Sequence, residues 1–156
     1  MTTQTIPERK DVAAGDQWDL TPLFDTDQAW EEAFETVQKD LEGYAAYKGR
    51  LGESAEVLRT AIAFDLDLSR RLDRLYTYAH LKNDEDQSNQ GYLGRYQRAV
   101  GLYTRAAELS SFMRPELMAV DENRMAAFLE SPELAEYRFY LEKILRLRAH
   151  TRSPAE

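Results

Sequence analysis

RLYTYAHLKNDEDQSNQGY, residues 74–92, is the stretch on which the fold turns. Leu75, Tyr76 and Ala79 continue a helical period of apolar residues that runs back through Leu72, Leu68, Ile62, Ala61, Leu58 and Val57, with Asp65 its only polar interruption. NDEDQSN then stops that period, and Tyr92, Leu93, Tyr96, Ala99, Val100, Tyr103, Ala106 and Ala107 start another. A stop followed at once by a capping run and a restart reads as two helices joined by a short loop. The same stretch also gathers three aromatic rings and one of only two histidines beside an acidic run, which raises the alternative of a ligand site.

Working outward from that pair, Trp30, Ala33, Phe34, Val37, Leu41, Tyr44 and Ala45 recur at helical steps behind Asp25 or Thr26 as cap, predicting a helix over 27–47 with Gly49 and Gly52 at its exit. Ser54 caps the second helix, which extends to about Lys82, and the third spans 88 to about Met113. Pro115 forces a break and a short helical turn over PELMAV. Asp121 caps a further helix carrying Met125, Phe128 and Leu129; Ser131 and Pro132 open the last, which reaches Arg148 and ends near HTRSPAE. No window alternates with β-branched residues, so the expected class is all-α: an irregular bundle of about five helices with an extended N-terminal lead segment. The expected organisation is a flexible lead over 1–17, carrying Pro7 and Gly15, and a helical lobe over 18–156 whose WDLTPLF start, through Trp18, Leu20, Leu23 and Phe24, anchors the chain.

The chain has 156 residues, enough to bury a core, and 43% apolar with 31% charged residues is a globular balance. Its net charge of −8 opposes nucleic-acid phosphates and anionic lipid, so neither nucleic acid nor membrane is an expected partner. The cysteine count is zero, which removes disulfides, thiolate nucleophiles and sulfur ligands. With no apolar signal core near the start and no run approaching the ~18 residues that span a bilayer, the expected location is the cytoplasm.

Each reactive-looking group has a simpler structural explanation. His80 sits in the last turn of a helix, four residues before Asp84, where the carbonyl end favours an imidazolium; HLKND is not a His-Glu-x-x-His box, and His150 is far away in sequence. Asp86 with Gly91 at the sixth position imitates the start of a calcium loop, but Gln90 and Gln97 stand where carboxylates belong, which leaves helix capping. Tyr76, Tyr78, Tyr92, Tyr96 and Tyr103 at helical spacing place rings in a core and hydroxyls at its rim, and Met113, Met118 and Met125 are packing residues. Glu31 with Glu32 and Asp65 with Asp67 are too close in sequence to aim two carboxyls at one substrate. No residue is assigned a catalytic, cofactor-binding or metal-ligating role.

Taken in order, WDLTPLF, AWEEAF, YKGRL, RLYTYAHLKNDEDQSNQGY, SSFMRPEL and YLEKILRLRAHTRS resemble the N-terminal region of oligoendopeptidase F-type zinc metallopeptidases, from Trp18 to nearly the end of the chain. The resemblance makes residues 74–92 a family hairpin. It implies cytoplasmic enzymes that cut short peptides in a deep channel, with an N-terminal helical lobe walling that channel and zinc held by a His-Glu-x-x-His helix and a later glutamate in a C-terminal catalytic lobe. This sequence carries no such box, so none of those roles passes to its residues, and zinc is expected only in the catalytic domain that this chain lacks. The expectation is a fragment that is inactive alone, whose partners are a C-terminal catalytic domain in the same or a separate chain and, through it, short peptides. Its exposed surface, drawn from Tyr92, Tyr96, Tyr103, Tyr137, Tyr140 and Ile144, would favour self-association. The alternative is a stand-alone helical interaction module that has lost the peptidase domain. On either reading, circular dichroism of the isolated chain should give a predominantly helical spectrum with a cooperative melt; substantial sheet content overturns the class.

Overall fold

The computed structural model describes residues 11–148. The chain is all-α: the described residues hold six α-helices, short 3-10 stretches that include Ala14–Asp16, Leu41–Ala46 and Pro132–Tyr137, and no strand. The helices are α1 (Asp27–Asp40), α2 (Ala55–Glu85), α3 (Gln90–Ser110), α4 (Met113–Ala119), α5 (Glu122–Glu130) and α6 (Arg138–Leu145). The contacts divide into two compact units, one made of the chain up to Lys39 with Arg70–Arg105, the other of Asp40–Ser69 with the chain from Ala106 onward.

The helix starts follow the capping chemistry. Thr26 Oγ1 accepts the Ala29 N–H at 3.1 Å, Ser54 Oγ that of Val57 at 3.1 Å, and Asp121 Oδ1 that of Arg124 at 3.0 Å. Each of these side chains satisfies an N–H that lacks an intrahelical partner. Asn89 does the same for α3, its Oδ1 accepting from Gly91 at 2.9 Å and Tyr92 at 3.1 Å.

Several boundaries differ from the sequence reading, each for a steric or hydrogen-bonding reason. The first helix changes to a 3-10 stretch over Leu41–Ala46. There a Cβ on Gly43 would lie 2.8 Å from the Phe64 ring, so any side chain at this position would force that ring to move. The third helix stops at Ser110, because the Pro115 ring would clash with the carbonyl four residues earlier, at Ser111; the chain turns and restarts as α4 with Pro115 in its first turn, where a missing N–H costs nothing. The second helix continues to Glu85, supported by Lys82 Nζ at 3.4 Å from Glu85 Oε2. The last helix opens as a 3-10 stretch over Pro132–Tyr137, with Ser131 donating its hydroxyl to Glu133 and capping no N–H, and only Arg138–Leu145 is α-helical. In the lead, Ala14–Asp16 is a 3-10 turn and Gln17 Nε2 donates to the Val12 carbonyl at 2.8 Å. Residues 1–10, which hold Pro7, and His150 with the rest of HTRSPAE lie outside the described residues. In WDLTPLF, Leu20 and Phe24 are buried as expected of an anchor, but Trp18 is 51% exposed.

In the first unit the core is Leu20, Phe24, Trp30, Phe34, Val37, Leu72, Leu75, Tyr78, Ala79, Ala99 and Leu102. Trp30 is completely buried and its Nε1 donates to the Leu75 carbonyl at 2.9 Å, tying α1 to α2. Arg95 and Arg98 of α3 lie over its ring, 5.5 and 5.4 Å from the centroid, and pair with acids of α1: Arg95 with Asp27 at 3.0 Å, Arg98 with Glu31 at 2.7 Å.

In the second unit Tyr44 is buried and its hydroxyl donates to Asp65 Oδ1 at 2.7 Å, which explains the one polar residue in the apolar stripe of α2. Burial first, then the hydrogen bond and charge of Asp65, push the Tyr44 phenol well above the ordinary tyrosine range. The loop before α2 turns at Gly49, whose φ of 81° is left-handed, and Leu51 is fully buried. One Glu116 carboxylate in the first turn of α4 accepts both Gly49 N at 2.9 Å and Leu51 N at 2.7 Å. At the other end of α4, Arg148 donates to the Met118 carbonyl at 2.9 Å and to that of Val120, a cation on carbonyls the helix leaves unpaired.

Glu116→Ala should therefore cost about 2 kcal/mol, because the Leu51 N–H loses its only described acceptor in a buried turn, and should lower the urea midpoint without changing helix content. A neutral result would show that the loop is held by Leu51 burial alone. The Tyr44 shift adds a pH dependence: a phenol whose folded pKa is raised stabilises the fold fully below about pH 10 and loses that contribution as the pH climbs toward the folded value. The wild-type melting temperature should fall above pH 10, and Tyr44→Phe should fall less steeply there while starting lower at neutral pH.

Candidate functional site

The residues singled out in 74–92 do come together, on the hairpin formed by the C-terminal part of α2 and the N-terminal part of α3. Tyr76, His80 and Asp84 follow one another at four-residue steps on one face of α2. Tyr96 and Tyr103, seven apart on α3, meet them: Tyr76 lies 5.7 Å from Tyr96 and 5.8 Å from Tyr103 between ring centroids. His80 stacks on Tyr76 at 5.6 Å with an interplanar angle of 10° and sits 5.3 Å from Tyr96.

The polar atoms of this cluster are turned toward one another. The Tyr76 and Tyr96 hydroxyls are 3.4 Å apart, His80 Nδ1 is 3.6 Å from Asp84, and the Tyr103 hydroxyl donates a short hydrogen bond to Asp73. That bond to Asp73, then burial, raises the Tyr103 phenol; the bond to Tyr76, then burial, raises that of Tyr96. Tyr78 points elsewhere, into the core, with its ring edge-on to Phe24 at 5.4 Å and its hydroxyl on Asp27 at 2.8 Å. Tyr92 is half-buried beneath Lys82, whose Nζ is 5.6 Å from its ring. The arrangement is a packed aromatic seam between two helices, and it holds no nucleophile paired with a base.

The acidic loop is a capping device. Asp86 Oδ1 accepts both the backbone N–H and the hydroxyl of Ser88, while Asn89 caps α3. Among the described residues no group of three or more His, Cys, Asp or Glu side chains could hold a metal ion, so the zinc implied by the resemblance has no fitting donor set here. The carboxylate pairs diverge. Glu31 turns to Arg95 and Arg98, Glu32 to Gln28 at 3.0 Å, and Asp65 to Tyr44. Met113 and Met125 are buried and Met118 half-buried, as packing residues should be.

Of the six residues from which the expected apolar surface is drawn, Tyr103 is exposed, at 40%, and Tyr92, Tyr96, Tyr137, Tyr140 and Ile144 are half-buried. Exposed large apolar groups are instead Trp18, Leu66, Val100, Phe139 and Leu147 together with Tyr103. The sequence reading also missed the ionic lattice of Asp27 and Glu31 with Arg95 and Arg98. Its signal is present: acids four apart on one helix, bases three apart on another.

The family profile of Oligopeptidase F matches residues 116–156. Oligopeptidase PepF of Bacillus subtilis is 37% identical over 152 residues, 97% of this chain and 23% of that protein. The crystal structure of oligoendopeptidase-F from Enterococcus faecium superposes with a TM-score of 0.72 and 33% identity over 82% of this chain and 26% of the other. This chain carries the N-terminal region of the oligoendopeptidase F family. A Chlamydophila abortus protein assigned as a peptidase gives a TM-score of 0.82 at 32% identity, over 97% of this chain and 26% of the other. The chain thus spans about a quarter of the length of the oligoendopeptidase F relatives it matches. No helix among the described residues is long and apolar enough to cross a membrane.

Selective labelling of tyrosine ring carbons should show Tyr103 titrating above the ordinary tyrosine value, and Asp73→Asn should bring it down. An unchanged Tyr103 titration in that variant would mean the Asp73 contact is not formed in solution.

Proposed function

We propose that this chain is a non-catalytic helical lobe of a cytoplasmic oligopeptidase, which walls the channel where short peptides are hydrolysed and depends on a C-terminal catalytic domain for the chemistry. The observation that carries this reading is the asymmetry of coverage. The Bacillus subtilis peptidase aligns along 97% of this chain, yet that alignment takes up only 23% of that peptidase. His80 supports it, since this residue is built into the aromatic seam and is followed by Leu81, Lys82, Asn83 and Asp84 rather than by a metal-binding helix sequence. The zinc of the resembled family would belong to that catalytic domain, and no step of the reaction is assigned to residues of this chain.

The lobe's contribution is then positional. A wall of packed helices limits what enters a channel by its rigidity, and the buried tryptophan and ionic lattice of the first unit support such a role. The test is complementation. The purified chain alone should not cleave short fluorogenic peptides, and adding the matching C-terminal part of an oligoendopeptidase F relative should produce chelator-sensitive cleavage that neither piece shows by itself. A folded C-terminal part that neither binds this chain nor changes in activity on its addition overturns the reading, as does cleavage by the rigorously pure chain.

A further inference from the structure

The second unit contains a groove of about 440 Å³, within the size range of small-ligand sites. Met113 and Leu117, both buried, form its deep wall, and Ile144 and Tyr140 are half-buried beside them. Arg114 and Lys143 stand exposed at its mouth, and Asp65 supplies the lone carboxylate of the lining.

The two cations share with Lys39, Lys48 and Arg146 the lack of an ion pair among the described residues, and differ from those three in bordering the groove. In a chain with 28 acids against 20 bases, Arg50, Arg59, Arg95, Arg98, Arg138 and Arg148 are each placed in an ion pair. Among the described residues Arg114 and Lys143 have neither hydrogen bond nor ion pair, and Lys143 only overhangs the Phe139 ring at 5.3 Å. Two uncommitted cations therefore border one apolar groove. Asp65 gives one oxygen to the Tyr44 hydroxyl, which leaves the other to accept an amide N–H. Base, apolar wall and acid in one groove match a carboxylate, a large apolar side chain and the amide N–H of the same residue.

We propose that this groove binds the C-terminal residue of a short peptide, with the terminal carboxylate on Arg114 and Lys143, a large apolar side chain against Met113, Leu117 and Ile144, and the amide N–H on Asp65. The proposal rests on the oligopeptidase reading only for the source of the peptide. Its chemistry is that of an N-acylated amino acid with a free carboxylate, and the arginine fork suits the planar carboxylate.

Titration of the full chain with N-acetyl-Ala-Leu, followed by amide chemical shifts, tests it without any catalytic domain, so failure of binding is distinct from failure of complementation. N-acetyl-Ala-Leu should saturate, with shifts at Asp65, Ser110 and Tyr140, and should bind about tenfold more tightly than its C-terminal amide or than N-acetyl-Ala-Gly, as expected when one charge-assisted pair or one buried side chain is lost. Arg114→Ala with Lys143→Ala should remove the preference for carboxylate over amide, and Arg114→Lys should keep part of it, while thermal melts verify that the exposed substitutions leave the fold intact. Equal binding of acid and amide, no saturation into the millimolar range, or an unchanged preference in the double variant each overturns the proposal. So does sedimentation showing a dimer that the double variant dissolves together with the absence of peptide binding, which would assign the groove to a second copy of the chain.

Discussion

Complete burial of Trp30 constrains the first unit more than any other single feature. Its indole reaches the Leu75 carbonyl of α2, stacks on Phe34 of its own helix at 5.1 Å, and lies beneath Arg95 and Arg98 of α3. The indole N–H would be costly to bury without that carbonyl, and the largely buried Arg95 guanidinium would be costly to desolvate without Asp27 and Glu31. Those acids lie one turn apart on the helix that carries the tryptophan. Position, donor and counter-charge are thus supplied by one short segment, and three helices are fixed by it.

The second unit solves a comparable problem with carboxylates. Glu116 gathers two backbone N–H groups of the turn at Gly49, and Asp65 receives the buried Tyr44 hydroxyl. Arg148 and Arg124 answer with backbone carbonyls, the latter at Gly52, 2.9 Å away. Apart from the Asp65–Tyr44 bond, each of these joins a side chain on one element to a peptide group in a loop or at a helix end, where intrahelical bonding leaves groups unsatisfied. Short helices such as α4 and α5 have little intrinsic stability, and these ties supply part of what length does not.

Function follows from this division of labour. Packing and capping absorb the chemically suggestive residues of 74–92: the histidine is a stacked ring, the acidic loop is a cap, and the tyrosines are a seam. Outside that stretch, two cations without an ion pair among the described residues, Arg114 and Lys143, border an apolar groove of the second unit.

The sequence by itself determined the all-α class, the capped starts at Thr26, Ser54 and Asp121, the hairpin around residues 86–89 and the family resemblance, because these depend on local periodicity and on side chains that bond to backbone a few residues away. It placed the break before Pro115 within a few residues for the same reason, since a ring clash reaches back only one turn. Only the tertiary structure decided that Gly43 faces Phe64, that Asp65 belongs to Tyr44, that Trp18 lies exposed while Trp30 is sealed, and that Tyr140 and Ile144 flank a groove. Those outcomes depend on partners 20 or more residues away, and periodicity reports which face of a helix is apolar without reporting what covers it.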